Sequence, residues 1–391
     1  MATKRKILTE SVDTMLLAVV LVLLAYGLLA LYSATFYVGV DFWQRQLIWV
    51  GLGLVAMFLM YWIPYTIWHK LALLLMLLNL ALLLILLIFG KPVFGAQRSL
   101  FGRSVQPGVA ARLVAVVYIA AWLSSKGDQL NKVNYGLFPF GVIMGIVAGL
   151  VALQPDLSTA VLIAVTGLAM FFFAGGDPVQ IFLSLIISAA AFGFVAWQFP
   201  HARERLMDYV ISLQDPSAMP YHVHRAILAI SEGGVLGTGL GSGKLKFGYL
   251  PFPHTDSIFA VIGEEAGLIG TMLVLVLFSL LTVRGFRVTL GTPDPFGSLL
   301  AFGVTVMIIS EAFLNVTVMI GLIPFTGTAL PFFSYGGSQM LVTLSGIGLL
   351  LGVSRGRPRR DWNAVLDRWG RNWRSRLSRT RRDTGFARSR S

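Results

Sequence analysis

Three carboxylates fall within ten positions of the stretch Pro251–Gly270, PFPHTDSIFAVIGEEAGLIG. Asp256 stands at its polar start, and Glu264 and Glu265 sit inside the apolar run that follows. A carboxylate at the centre of a membrane helix costs roughly 2.5–3.5 kcal/mol, and less near the interface. A chain that keeps three so close together has a use for at least one. A carboxylate at the edge of an apolar region is suited to take a proton from a hydroxyl as a general base. His254 and Thr255, directly before Asp256, are candidates to hold a substrate against it. The structural alternative makes Asp256 a helix N-cap and pairs the glutamates with buried basic side chains.

Other charged groups stand at the ends of apolar runs: Arg45, Arg98 and Arg103 in GAQRSLFGR, Asp156 in QPDLS, Arg225, Lys244 and Lys246. Arg98, Arg225 and Lys244 suit phosphate oxygens, which guanidinium groups bind bidentately. Arg112 and Glu311 lie inside apolar runs and read as an interior ion pair. Glu311 and Asn315, four apart, share a helix face. His222-x-His224 and His254-x-Asp256 are too few ligands for a structural metal site. A loosely held Mg²⁺ or Ca²⁺ bridging Asp256 to a pyrophosphate is left open. GGVLGTGLGSGK, Gly233–Lys244, fails as a nucleotide loop because Thr238 and Leu245 occupy the positions of the required Gly and Ser/Thr. It reads instead as a glycine-rich turn packed on neighbouring helices or on an anionic headgroup.

The elements that must position these residues are membrane helices. Of 391 residues, 56% are hydrophobic and 13% charged, and the mean hydropathy is +0.76. That composition excludes a soluble domain. The absence of cysteine excludes disulfides and thiolate metal sites. No alternating strand pattern occurs, so the fold class is all-α and polytopic. Apolar runs predict ten spans, at about 15–31, 46–63, 71–89, 109–123, 137–153, 157–174, 181–198, 258–283, 298–322 and 340–353. Residues 1–13 form an N-terminal segment, 14–354 the ten-helix domain, and 199–257 a large extracytoplasmic loop between the seventh and eighth spans.

An even count puts both termini on one side. Lys4-Arg5-Lys6 and the Arg-rich tail, each beside a span, make that side cytoplasmic. The net charge of +13 resides mostly in the tail, where 13 Arg and 3 Asp follow Ser354. With no folded soluble module beside it, this charge points to anionic membrane lipid and away from nucleic acid. Within the basic tail 355–391, Trp362, Val365, Leu366, Trp369 and Trp373 recur at helical spacing opposite Arg368, Arg371 and Arg374. Residues 361–377 thus read as an interfacial amphipathic helix. Gly348 and Gly352 form a GxxxG, the spacing of a close helix contact.

Taken together, GAQRSL…QPGVAARL, QPDLSTAVLI, AISEGGVLGTGLGSG, LPFPHTDSIFAVIGEEAGLIG and ALPFFSYGGSQ resemble the SEDS proteins (FtsW, RodA, SpoVE), in register over about Thr14–Ser354. The resemblance implies a ten-helix peptidoglycan glycosyltransferase of a bacterial cytoplasmic membrane, serving division, cell shape or sporulation. It implies lipid II as substrate, a polyprenyl-pyrophosphate glycan as product, and a class B penicillin-binding transpeptidase as partner. Asp256 then matches the essential aspartate, the proposed base, and Arg112 stands where a Lys facing it is usual. A Lys-to-Arg change keeps charge but not geometry.

The sequence also departs from the family pattern. Ser99 replaces a Trp, Gly108 and Val109 replace Ser and Glu, Ser158 replaces Gly, and Ser257 replaces Phe. These departures motivate an alternative, a non-catalytic scaffold that binds and activates the partner. The intramembrane Glu264, Glu265 and Glu311 motivate another, a transporter that flips a polyprenyl-linked precursor.

Overall fold

The structure is a computed structural model that describes residues 13–37, 39, 41–89, 106–215 and 218–355. Arg98 and the tail segment 361–377 lie outside the described residues. The regular structure among those described is helical, without strands. In chain order the helices are α1 (Thr14–Thr35), α2 (Asp41–Trp62), α3 (Tyr65–Phe89), α4 (Pro107–Lys126), α5 (Leu137–Ala152) and α6 (Leu157–Phe173). There follow α7 (Pro178–Gln198), α8 (Pro200–Gln214), α9 (Tyr221–Gly233), α10 (Ile258–Gly291), α11 (Pro295–Met319) and α12 (Gly337–Arg355).

Eight of these, α1–α4, α7 and α10–α12, are long and apolar enough to cross a membrane. The apolar α5 and α6 have only 16 and 17 residues, a reach of about 24–26 Å against a hydrocarbon core of about 30 Å. Each of the ten apolar runs read from the sequence coincides with one of these ten helices. α8 and α9 are additional and lie within 199–257.

α4, α10, α11 and α12 form the buried centre, whereas α2, α3 and α7 turn large apolar side chains such as Ile88 and Phe194 outward. Without water to drive them together, membrane helices associate by close packing of small residues. Gly348 of α12 does this: a β-carbon there would lie 2.3 Å from the Met57 carbonyl oxygen of α2. Asp13, before α1, lies 3.7 Å from Arg284 in the later part of α10, and Arg355 stacks over Tyr61 at the end of α2. Both ends of the described chain are thus at one end of the bundle, and Asp256, before the start of α10, is at the other.

The eighth expected span is not one continuous helix. α10 breaks at Gly267, whose φ is +63°. A break inside an apolar helix leaves two carbonyls and two amides without partners, which hydrocarbon does not tolerate. The glycine-rich turn after α9 supplies replacements. Thr238 N and Gly239 N donate to the Glu264 and Glu265 carbonyls, both at 3.0 Å. Leu268 N and Ile269 N donate to the Gly234 and Val235 carbonyls, at 2.9 and 3.3 Å. Gly237, at φ +82°, permits this because a β-carbon there would lie 2.1 Å from the Glu265 carbonyl. Part of the segment expected as an outer loop is therefore folded against the first nine residues of α10.

The two glutamates next to the break are both buried. Glu265 pairs with Lys246 Nζ at 2.6 Å and accepts from the Ser33 hydroxyl of α1 at 2.6 and 2.7 Å. Lys246, fully buried, also donates to the Ser33 and Gly241 carbonyls at 3.1 and 3.0 Å. Glu264 accepts from the backbone amides of Lys244 and Leu245. The expected basic partner is present for Glu265. Glu264 has amides instead.

Candidate active site

Two irregular segments meet at the Asp256 end of the bundle. Pro251 and Pro253 keep 251–257 out of the helix, and Pro324, Pro331 and several glycines do the same for 320–336. Three successive carbonyls of the first segment are held from outside it. Tyr335 N donates to His254 O at 2.8 Å, the Ser334 hydroxyl to Thr255 O at 2.6 Å, and Asn315 Nδ2 to Asp256 O at 2.8 Å. The turn entering this segment places Phe252 at φ +48°, a left-handed conformation that costs a bulky residue on the order of 1–3 kcal/mol. The HTD backbone is thereby fixed before any ligand arrives.

Asp256 is half-buried. It is not the N-cap of α10, as the structural alternative had it, because Ser257 takes that position. Its Oδ2 faces Gly327, where a β-carbon would lie 3.4 Å away. Gly327 has φ +69° and lies between Thr326 and Thr328, whose hydroxyls are 3.2 Å apart. Asn315 Nδ2 also donates to Thr328 O at 2.7 Å, and the Ser158 hydroxyl donates to Thr326 O at 2.7 Å. Asn315 therefore bridges the two segments at Asp256.

One turn earlier on α11, Glu311 forms a buried ion pair with Arg112 of α4 and accepts from Gln339 Nε2 at 3.2 Å. The interior pair read from the sequence is present. The face of α11 that carries Glu311 and Asn315 thus links Arg112 to the Asp256 backbone. Asp156 caps α6 by accepting from Thr159 N at 3.3 Å, and its Oδ2 lies 3.6 Å from where a β-carbon at Gly108 would be, in the first turn of α4.

Of the residues singled out from the sequence, Asp256, His254 and Thr255 share one fixed backbone, and Arg112 joins them through α11. The His254 ring lies 4.8 Å from Phe42, and its buried Nδ1 has no hydrogen-bond partner among the described residues. Burial lowers its pKa and keeps the ring neutral at pH 7. Other candidates lie elsewhere. Lys244 has an exposed side chain, and Glu264 is enclosed by the glycine-rich turn. Arg225 stacks on Tyr221 and Tyr249, with ring centroids at 5.0 and 5.9 Å.

The sequence reading missed the Thr326-Gly327-Thr328 wall, Gln339, and a contact between His222 and Ser257. The signal for the wall was present as hydroxyl residues in a Pro/Gly-rich turn. Among the described residues no three His, Asp or Glu side chains gather as a metal site.

A carboxylate on a rigid turn at a helix end, beside a glycine that leaves it room, can accept a proton from a hydroxyl brought alongside. Known proteins resemble this chain over most of its length. The sequence model of the cell cycle protein family of FtsW, RodA and SpoVE matches residues 13–358. Stage V sporulation protein E of Bacillus subtilis is 37% identical over 368 residues, covering 91% of this chain and 99% of that protein. A probable peptidoglycan glycosyltransferase FtsW of Geobacter metallireducens is 35% identical over 356 residues, covering 88% and 95%. Among solved structures, a chain of a peptidoglycan synthase complex described as coordinating polymerization and crosslinking superposes with a TM-score of 0.75 at 29% identity. It covers 90% of this chain and 99% of that one. The rod shape determining protein RodA of Thermus thermophilus superposes with a TM-score of 0.68 at 27% identity and the same coverage. On the extent of these matches, the chain belongs to the FtsW/RodA/SpoVE family of cell cycle proteins.

Proposed function

We propose that this protein polymerises lipid II into glycan strands at the outer face of a bacterial cytoplasmic membrane, with Asp256 as general base. The observation that carries the reading is the Asp256 carboxylate, set on a backbone held at three successive carbonyls beside a glycine wall. Joining two sugars requires a hydroxyl to lose its proton while a lipid pyrophosphate departs. A positioned carboxylate contributes ~10²–10⁴-fold to such a step. Arg98 and Arg112 are the basic residues proposed for the pyrophosphate end. Arg225 and Lys244 supply further positive charge.

In this reading α5 and α6 complete a ten-span bundle, crossing where the membrane thins around them. The termini are cytoplasmic, and a class B penicillin-binding transpeptidase is the partner that cross-links the product. Purified protein with labelled lipid II, with the transpeptidase present, yields long strands, and Asp256→Ala lowers the rate by at least about 100-fold. Wild-type protein that makes no strands but flips the lipid in proteoliposomes overturns the proposal in favour of transport. Wild-type protein that does neither, yet stimulates the transpeptidase, overturns it in favour of a scaffold.

A further inference from the structure

Ser257 occupies the N-cap of α10, where a serine ordinarily accepts a hydrogen bond from the second or third amide of its helix at a gain of about 1 kcal/mol. Here it makes no such bond. The first turn closes on the Ser257 carbonyl, with Ala260 N and Val261 N at 3.0 and 3.2 Å. Its hydroxyl, fully buried, donates to Pro251 O at 2.8 Å and lies 3.0 Å from Nε2 of His222 on α9. Because the one hydroxyl hydrogen goes to Pro251, the serine oxygen accepts and His222 Nε2–H donates. This assigns the tautomer.

The same ring touches the other irregular segment. It stacks on Phe325 with centroids 4.1 Å apart and planes 27° from parallel, and the Arg205 guanidinium of α8 lies 5.2 Å from the Phe325 ring. Phe325 is two residues before Gly327, and Ser257 is one after Asp256. His222 thus bonds one wall of the site, stacks on the other, and ties both to α9. We propose that His222 is a positioning residue that sets the Asp256 carboxylate against Gly327 by holding the Ser257 hydroxyl. The inference rests on the reading of Asp256 as the base. A half-buried ring with one fixed donor suits the role, since burial, with Arg205 nearby, lowers its pKa to about 4 and keeps it neutral.

The test measures strand formation by the full chain on labelled lipid II with its transpeptidase present. Its variants are His222→Phe, His222→Gln, Ser257→Ala and the double variant His222→Phe/Ser257→Ala. Phe keeps the stack on Phe325 and removes the donor, whereas Gln restores a donor. One hydrogen bond predicts that His222→Phe lowers kcat about 3- to 10-fold with KM within about 2-fold of wild type. His222→Gln recovers most of that loss, and the double variant is no slower than the slower single one. Amide exchange at 251–257 rises in His222→Phe and returns toward wild type in His222→Gln.

Unchanged kcat in His222→Phe, or losses that multiply in the double variant, overturns the assignment. Should His222→Phe fail to fold, the comparison of His222→Gln with Ser257→Ala decides it: a near-wild-type Gln variant beside a slowed Ala variant supports the role, and any other result overturns it. An inactive wild type counts against the base as well, whereas an active wild type with an equally active His222→Phe counts against His222 alone.

Discussion

Lys246→Met should be among the most damaging single changes outside the site. The three hydrogens of Lys246 Nζ are shared among four acceptors, Glu265 Oε1 at 2.6 Å, the Ser33 carbonyl and hydroxyl at 3.1 Å, and Gly241 O at 3.0 Å. Methionine has similar length and none of these donors. It leaves the Glu265 carboxylate buried with only the Ser33 hydroxyl, and breaking a buried pair in this way costs about 3–5 kcal/mol. For a chain of 391 residues that is on the order of 4–6 °C in an apparent melting temperature, if the whole chain melts as one unit. Local exchange at the glycine-rich turn should rise further, because Lys246 ties Gly241 to α1 and α10. Replacing both partners, Lys246→Met/Glu265→Leu, removes the stranded charge and should recover most of the loss. The assay is thermal unfolding in detergent with amide exchange read at 234–241. A double variant that melts as low as the sum of its two singles would refute the reasoning.

Two further predictions concern the site. Gly327→Ala puts a β-carbon 3.4 Å from Asp256 Oδ2 at φ +69°, a backbone that alanine adopts at a cost of about 1–2 kcal/mol. It should lower strand formation about 10-fold or more while the protein remains monodisperse, and wild-type turnover would show that the glycine is not needed there. The His222 pKa falls from 6.5 to about 4, chiefly through burial and then through Arg205. Between those values the unfolded chain binds a proton that the folded one refuses, so this contribution is present above pH 6.5 and is lost as pH falls toward 4. Amide protection at 221–233 and 251–257, after correction for the intrinsic pH dependence of exchange, should therefore be lower at pH 5 than at pH 7.5, and His222→Gln should flatten the difference; an equal slope in both proteins counts against it.

Much of the fold was legible because a membrane leaves few choices. Runs of apolar residues must become helices, and ten such runs coincide with ten helices. The Arg112–Glu311 pair was legible for the same reason, since charge in an apolar run needs a partner. The break at Gly267 was not, because a glycine within an apolar run looks the same whether the helix continues or a distant turn takes over its hydrogen bonds. Glu264 read as a functional carboxylate or as the partner of a buried basic side chain, although its partners are the backbone amides of Lys244 and Leu245, which no side-chain pattern announces. Ser257 read only as a departure from a family pattern. Its partner is 35 positions earlier, on a helix the apolar runs did not predict.

The crossed bonds at Gly267 also bear on the order of assembly during synthesis. Glu264 and Glu265 carbonyls can bond Leu268 and Ile269 amides within an unbroken helix, or bond the turn as they do here. While this segment is being inserted, its backbone is therefore never bare, because it can enter the bilayer straight and be opened afterwards by residues made earlier. The groups with no second option belong to the turn itself, at Gly234, Val235, Thr238 and Gly239, and until docking they need water. The straight helix and the docked turn thus satisfy the same four backbone groups of α10, and only docking satisfies the four of the turn as well.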